Sequence, residues 1–129
     1  MPSEGAFFKK EDFFSVLYHE LVHSTAHSTR LNRKGANGTD GNWTSFGSDA
    51  YSVEELVAEM GASYLCSQAG IVDRTINSSA SHINAWLERL RGDNRLVIMA
   101  AAKAQNAVDF ILNRSQQDQP AVGEMKMAA

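Results

Sequence analysis

Apolar residues recur every three or four positions in four separate stretches of the chain, which is the spacing of amphipathic α-helices. From this pattern we predict helices at about residues 10–27, 53–68, 79–90 and 94–112. Gly70 and Gly92 are suited to end the second and third helices, and Asp93 can cap the fourth. The pattern therefore predicts a mainly α fold with about four helices and little or no sheet.

The segments outside these helices have a different composition. Residues 28–51 are rich in Gly, Asn, Ser, Thr and Asp, and they predict a long loop between the first two helices, anchored by Trp43 and Phe46. Loops of this length are uncommon in compact domains and are often functional. Residues 115–129 are polar, and we expect a disordered tail there, which leaves residues 1–114 as the folded domain.

The first predicted helix carries the sequence His-Glu-x-x-His at residues 19–23. Because residues four apart lie on one face of a helix, His19 and His23 can bind one metal ion. Zinc suits two imidazoles with a third protein ligand and one open position. Glu20 is placed to accept the proton of a water molecule that the metal activates. The histidines lie opposite the apolar face of the helix, and the alternative is an amphipathic helix whose histidines simply face solvent.

The second predicted helix offers the third ligand. Its apolar face is opposite a face that carries Glu55, Glu59 and small residues, which would let the first helix pack closely. We expect Glu55 to bind the metal and Glu59 to hold a histidine N–H, whereas Glu54 points elsewhere. Glu55 could instead only cap this helix together with Ser52, with Glu59 as the metal ligand.

Two further groups could stabilise an oxyanion in such a site, His27 and Tyr51. For His82 we expect an ordinary surface or core histidine, and for Arg30 and Arg33 solvation or pairing with a carboxylate. Cys66 lies too far along the second helix to share the ion. The third and fourth helices therefore add no predicted ligand.

Composition narrows the classes of function. With 129 residues, 43% of them hydrophobic and 21% charged, the chain suits one soluble domain. The net charge of −3 does not favour non-specific binding of nucleic acid by this segment. A single cysteine excludes an internal disulfide framework, and no apolar run is long enough to span a membrane. We accordingly expect a cytoplasmic protein without a membrane partner.

These features together resemble a known family. The C-terminal zincin-like metallopeptidase domain of ArdC-type antirestriction proteins is similar to this chain at residues 19–23, 30–33, 46–48 and 51–62, and at His27, Trp86-Leu87 and Ala104-Gln105. The glutamates of the second helix are also similar to those of gluzincins, which place a ligand glutamate on the helix after the motif helix. The resemblance covers about residues 7–113 and implies a zincin-like fold.

The resemblance also implies a function. The expected activity is hydrolysis of a peptide or protein substrate by a zinc-activated water, in a protein of a plasmid, phage or other mobile element. The alternative is a zinc-binding module without turnover in a DNA-associated antirestriction protein. Family members usually carry an N-terminal domain that binds single-stranded DNA. This sequence lacks that domain. We therefore expect single-stranded DNA to be bound only by a protein that carries the N-terminal domain, and not by this segment itself.

Overall fold

The computed structural model describes residues 1–33 and 49–114. A short 3-10 turn, Glu4–Ala6, precedes four helices: α1 (Lys10–Ser24), α2 (Asp49–Gln68), α3 (Val72–Arg89) and α4 (Asn94–Ile111). The described ranges contain no strand, so the mainly α prediction is confirmed. The predicted anchors Trp43 and Phe46 and the predicted tail lie outside the described residues. Among the described helices, none has the length and apolar character that a membrane span requires.

Helix α2 lies at the centre and packs against the other three helices. Its side chains Leu56, Val57, Ala58 and Cys66 are completely buried. Burying one such leucine contributes about 1.5–3 kcal/mol to folding. The core also includes small residues of α4, which bring that helix close to α2. The core is completed by these residues: Val22, Val53, Leu65, Leu90, Ala100, Ala104, Ala107 and Val108.

Helices α1 and α2 approach most tightly where Gly61 faces Val22. A Cβ atom at position 61 would lie only 2.7 Å from Val22 Cγ2, so any larger residue would push the helices apart. Val22 directly precedes His23, and Gly61 comes two residues after Glu59. The close approach therefore lies beside the histidines of α1 and the acidic residues of α2.

Two predicted helix boundaries near the site are wrong. Helix α1 ends at Ser24, before the predicted His27, and the Thr25 hydroxyl donates to the carbonyl of Val22 there. Helix α2 begins at Asp49 rather than at Val53. Ser52 consequently lies buried within α2, and the capping box that it would form with Glu55 is not the role of either residue.

The third helix also differs from its prediction, since α3 begins at Val72 rather than at residue 79. Its first turns are mostly polar, with Val72 and Ile76 as their only large apolar residues, yet Thr75 and Ser79 are buried by packing. Gly70, with φ of +78°, and Gly92, with φ of +73°, separate the last three helices as expected. Asp93 accepts hydrogen bonds from the backbone N–H groups of Arg95 and Leu96, which confirms the predicted cap of α4.

Candidate metal centre

Helix α1 directs His19 and His23 toward one point. Their ring centroids are 4.6 Å apart, and the two Nε2 atoms are separated by only 3.0 Å. Both side chains are largely covered, with 17% and 25% of their surfaces exposed. The histidines therefore lie in the contact between α1 and α2 and not on a solvent-facing side of α1.

Glu55 of α2 supplies a carboxylate to the same point. Its Oε2 atom lies 3.2 Å from His19 Nε2, and its Oε1 atom lies 3.2 Å from His23 Nε2. One ligand atom from each of these three residues falls within 4.8 Å of the others. In the described part of the chain, this is the only such group of His, Cys, Asp and Glu.

The dimensions and chemistry of this group fit a zinc ion. A tetrahedral ion with ligand distances of about 2.0–2.1 Å has ligand atoms about 3.3 Å from one another. The observed separations of 3.0 and 3.2 Å are close to that value. Two imidazoles and one carboxylate are also a ligand set that zinc accepts while keeping a fourth position open. His19, His23 and Glu55 are therefore the residues that would hold the ion.

The Nδ1 atom of each histidine contacts a second carboxylate. His19 Nδ1 lies 3.1 Å from Glu59 Oε1, and His23 Nδ1 donates to Glu54 Oε2 at 2.8 Å. Because a carboxylate can only accept there, each Nδ1 carries a proton, and each Nε2 is directed at the common point, where it can bind either a second proton or a metal ion. The contact of Glu59 is the one that the sequence analysis expects, whereas the expectation that Glu54 points elsewhere is wrong.

The carboxylates also control the protonation of the histidines. Burial lowers the pKa of His19, but hydrogen bonds to Glu55 and Glu59 outweigh it and raise this pKa to about 10. Burial likewise lowers the pKa of His23, which Glu54 and Glu55 raise to about 9. Burial raises the pKa of Glu55, yet the two histidines hold it far below its usual range. The centre thus attracts positive charge, either as protons or as a metal ion.

Glu20, the predicted base, follows His19 in α1 and lines an open cleft of about 450 Å³ that leads to the histidine. Its side chain is exposed. Within the described ranges, its carboxylate has no hydrogen-bond or ion-pair partner, so it is available to a water molecule. The rest of the cleft is lined by these residues: Phe7, Asp12, Ser15, Val16, Glu59, Ser78 and His82.

The remaining candidates have different places. Burial, together with the nearby carboxylate of Glu55, raises the pKa of the Tyr51 hydroxyl. His27 is exposed, and its Nδ1 accepts from the backbone N–H of Thr29 in the turn after α1. The structure therefore brings Tyr51 to the centre but shows no contact of His27 with the ligand residues. The oxyanion roles of both stay predictions.

Sequence reasoning gave Arg33 a carboxylate partner as one of two possibilities, but it missed that this partner is Glu54 and that Glu54 contacts His23. Arg33, with 6% of its side chain exposed, pairs with Glu54 through two hydrogen bonds of 2.8 and 2.9 Å. His82 lies at the surface, in line with the expectation of an ordinary histidine, and its Nδ1 atom is 3.6 Å from Glu59 Oε2 at the cleft. An acidic pair at Glu54 and Glu55 beside a metal motif is a signal that could have pointed to Glu54.

Comparison with known proteins agrees with this geometry. A family model described as "Zincin-like metallopeptidase" matches residues 1–103. The DNA primase TraC of Escherichia coli is 32% identical over 117 residues, which are 91% of this chain and 10% of that protein. The uncharacterized protein y4eC of Sinorhizobium fredii is 31% identical over 129 residues, which are 100% of this chain and 39% of that protein. The chain thus spans well under half of these relatives, and no solved structure matches it.

Proposed function

The chain belongs to the zincin-like metallopeptidase family, and on that premise we propose that its centre binds zinc and hydrolyses peptide bonds. The ligands in this proposal are His19, His23 and Glu55, and Glu20 is the general base. The observation that carries it is the convergence of two Nε2 atoms and both Glu55 oxygens within 3.2 Å, next to an open cleft that Glu20 lines.

Each residue contributes a distinct step. A bound zinc ion would act as a Lewis acid, which polarises the scissile carbonyl and lowers the pKa of a water molecule. The Glu20 carboxylate accepts a proton from that water and then donates it to the nitrogen of the leaving amine. Tyr51 lies near Glu55, whose carboxylate contributes to the raised pKa of the Tyr51 hydroxyl, so this hydroxyl stays protonated beside the ligand. The open cleft leaves space for a peptide to approach from the side of His19.

The experiment uses Glu20→Gln, which keeps the shape of the side chain but cannot accept a proton. We expect the variant to keep its zinc and to lose about 10²–10⁴-fold in kcat. Purified zinc-loaded protein is incubated with a peptide library, and products are followed by mass spectrometry. Glu88→Gln removes the same charge from an exposed position of α3 and serves as the matched control.

The outcomes separate catalysis from simple metal binding. Equal cleavage by wild type and Glu20→Gln would show that Glu20 is not the base. If zinc-loaded wild type cleaves no member of the library, the proposed peptidase activity is wrong. The centre would then be a zinc-binding module without turnover.

We also propose that such a domain works within larger proteins that handle DNA. One relative is named a DNA primase, but this chain corresponds to only 10% of it. The net charge of −3 disfavours direct contact with phosphates. We therefore expect weak or no binding of a labelled single-stranded oligonucleotide by this chain in fluorescence anisotropy. A sub-micromolar, salt-sensitive affinity would contradict that expectation.

A further inference from the structure

Arg33 is a buried cation, and among the described residues its side chain donates hydrogen bonds to the end of α1 and the start of α2. Its Nε and Nη2 atoms donate to the two oxygens of Glu54 at 2.8 and 2.9 Å. Nη2 also donates to the carbonyl of Val22 at 2.8 Å, and Nη1 donates to the hydroxyl of Thr25 at 2.6 Å. The guanidinium is therefore bound to Val22 of α1 and to Thr25 directly after α1, while it binds the carboxylate of α2 with two hydrogen bonds.

Glu54 connects Arg33 to the metal centre by hydrogen bonds. Glu54 Oε2, which accepts from Arg33 Nη2, also accepts from His23 Nδ1 at 2.8 Å. Only 12% of the Glu54 side chain is exposed, and both of its oxygens accept hydrogen bonds from the guanidinium of Arg33. With both oxygens engaged, the carboxylate has little freedom to rotate.

The equivalent contact of His19 is built differently. Glu59 holds His19 Nδ1 with one oxygen, and its other oxygen lies 3.6 Å from His82, whose side chain is 60% exposed. No arginine forms an ion pair with Glu59 in the described residues. The buried Arg33 therefore supports His23, through Glu54, and does not support His19.

We propose that Arg33 is a positioning residue of the metal centre, which acts through Glu54 to fix the ring of His23 with its Nδ1 protonated and its Nε2 directed at the ion. This inference rests on the proposed zinc site but not on peptidase activity. A fixed ring costs less entropy when the metal binds, and a backing carboxylate makes the imidazole a better donor. Loss of such a contact typically lowers metal affinity about 10–100-fold.

The role requires an arginine and not merely a positive charge. The planar guanidinium presents parallel N–H groups that match both oxygens of a carboxylate, whereas an ammonium is a single point charge. A lysine at position 33 could neutralise Glu54 but could not hold both oxygens and the Val22 carbonyl together. Arg33→Lys should therefore lose much of the zinc affinity that Arg33→Met loses.

Arg30 provides the matched control on the same turn. Its Nη1 atom donates to the carbonyl of Ser24 at 2.9 Å, so it also binds the end of α1, but it is exposed and does not contact Glu54. Replacing Arg30 removes an arginine and one bond to a helix carbonyl while it leaves the path to His23 intact. Any effect of Arg33→Met beyond that of Arg30→Met therefore comes from the contacts that Arg33 alone makes, and Glu54→Gln separates the contact with Glu54 from those with Val22 and Thr25.

The experiment measures zinc dissociation constants by competition with a chromophoric chelator, together with visible absorption spectra of the Co²⁺-substituted protein. We expect Arg33→Met to weaken zinc about 10–100-fold and to change the Co²⁺ bands, with Arg30→Met equal to wild type in both. Glu54→Gln should resemble Arg33→Met. The double variant should lose little more than either single one, because both residues act on the same histidine.

A structural role alone would lower the melting temperature of the metal-free protein without changing the Co²⁺ spectrum. If Arg33→Met does not fold, Arg33→Lys and Glu54→Gln carry the same comparison. Wild-type zinc affinity and an unchanged Co²⁺ spectrum in a folded Arg33 variant would overturn the inference, as would a wild type that binds no zinc. A wild type that binds zinc but cleaves no peptide would refute only the proposed activity.

Discussion

The two histidines of the centre share one helix and one spacing, yet their surroundings differ. His23 is supported by a buried ion pair, because Glu54 holds its Nδ1 atom and the buried Arg33 holds Glu54. His19 borders the open cleft, where its Nδ1 contacts Glu59 and the nearby His82 is 60% exposed. We call these the closed side and the open side of the centre.

The difference suggests a division of labour within one site. A ligand that is fixed by buried, ionised groups can hold a metal without reorganising, because its orientation is set before the metal arrives. A ligand beside open space leaves room for water and substrate around the same ion. The closed side is thus suited to retention of the metal, and the open side is suited to chemistry. The predictions below test that division in order of decreasing effect.

The largest effect should come from removing a residue from each side at once. His19→Ala with His23→Ala should abolish zinc binding, since both nitrogen donors disappear. Elemental analysis of protein purified without added metal measures the zinc content. We expect about one ion per chain in the wild type. His27→Ala is the control, because His27 is exposed and bonded to Thr29. Full metal occupancy in the double variant would place the ion elsewhere.

The next effect concerns the carboxylate that touches both sides. Glu55→Ala should weaken zinc by more than about 100-fold, which exceeds the typical loss for residues that only support a ligand. Zinc titration against a chelator of known affinity gives the value. A larger loss in Glu59→Ala than in Glu55→Ala would instead identify Glu59 as the ligand.

A direct comparison of the sides uses the two supporting acids. We expect Glu59→Ala and Glu54→Ala each to weaken zinc about 10–100-fold, with Glu54→Ala the more severe. The reason is that Glu54→Ala also leaves Arg33 buried without its carboxylate. The same titration measures both variants. An equal loss, or a smaller one for Glu54→Ala, would remove the basis for distinguishing a closed side.

The pH dependence of stability is a test in which the histidines of both sides should behave alike. The folded chain raises the pKa of His19 to about 10 and of His23 to about 9, above the ordinary value of 6.5. A raised pKa stabilises the fold fully below pH 6.5, and this stabilisation is lost as the pH rises through about 9–10. Metal-free protein should therefore melt at lower temperature as the pH increases over that interval.

Calorimetry or circular dichroism of chelator-treated protein measures this melting temperature. The double variant without His19 and His23 is the control, and its decline over the same interval should be weaker. Identical pH profiles for the two proteins would show that these histidines are not the groups whose pKa the fold raises.

The smallest effect on metal binding should come from the open side. His82→Ala removes a mostly exposed group whose contact with Glu59 is 3.6 Å, so zinc affinity should change by less than about fivefold. The chelator titration used for Glu54→Ala and Glu59→Ala measures it. A loss as large as that of Glu59→Ala would mean that the open side also holds its ligand through a fixed network.

Several features of the fold and of the metal centre could be predicted from the sequence alone. The spacing of His19 and His23 and the shared face of Glu55 and Glu59 follow from helix periodicity, since both pairs are one turn apart. The four-helix architecture follows from the apolar pattern, and the cap at Asp93 follows from its side chain. These features depend on residues near one another in the chain, so local geometry is sufficient to predict them.

The contacts of the closed side, by contrast, are visible only in the tertiary structure. A helical wheel gives the direction of Glu54 about the axis of α2, but it does not reveal that the turn after α1 places Arg33 beside it, 21 residues away in sequence. Likewise the polar start of α3 and the burial of Ser52 depend on packing against other helices. A buried charge is stable only when its partner is already in place, and that partner is brought by the fold and not by the neighbouring sequence.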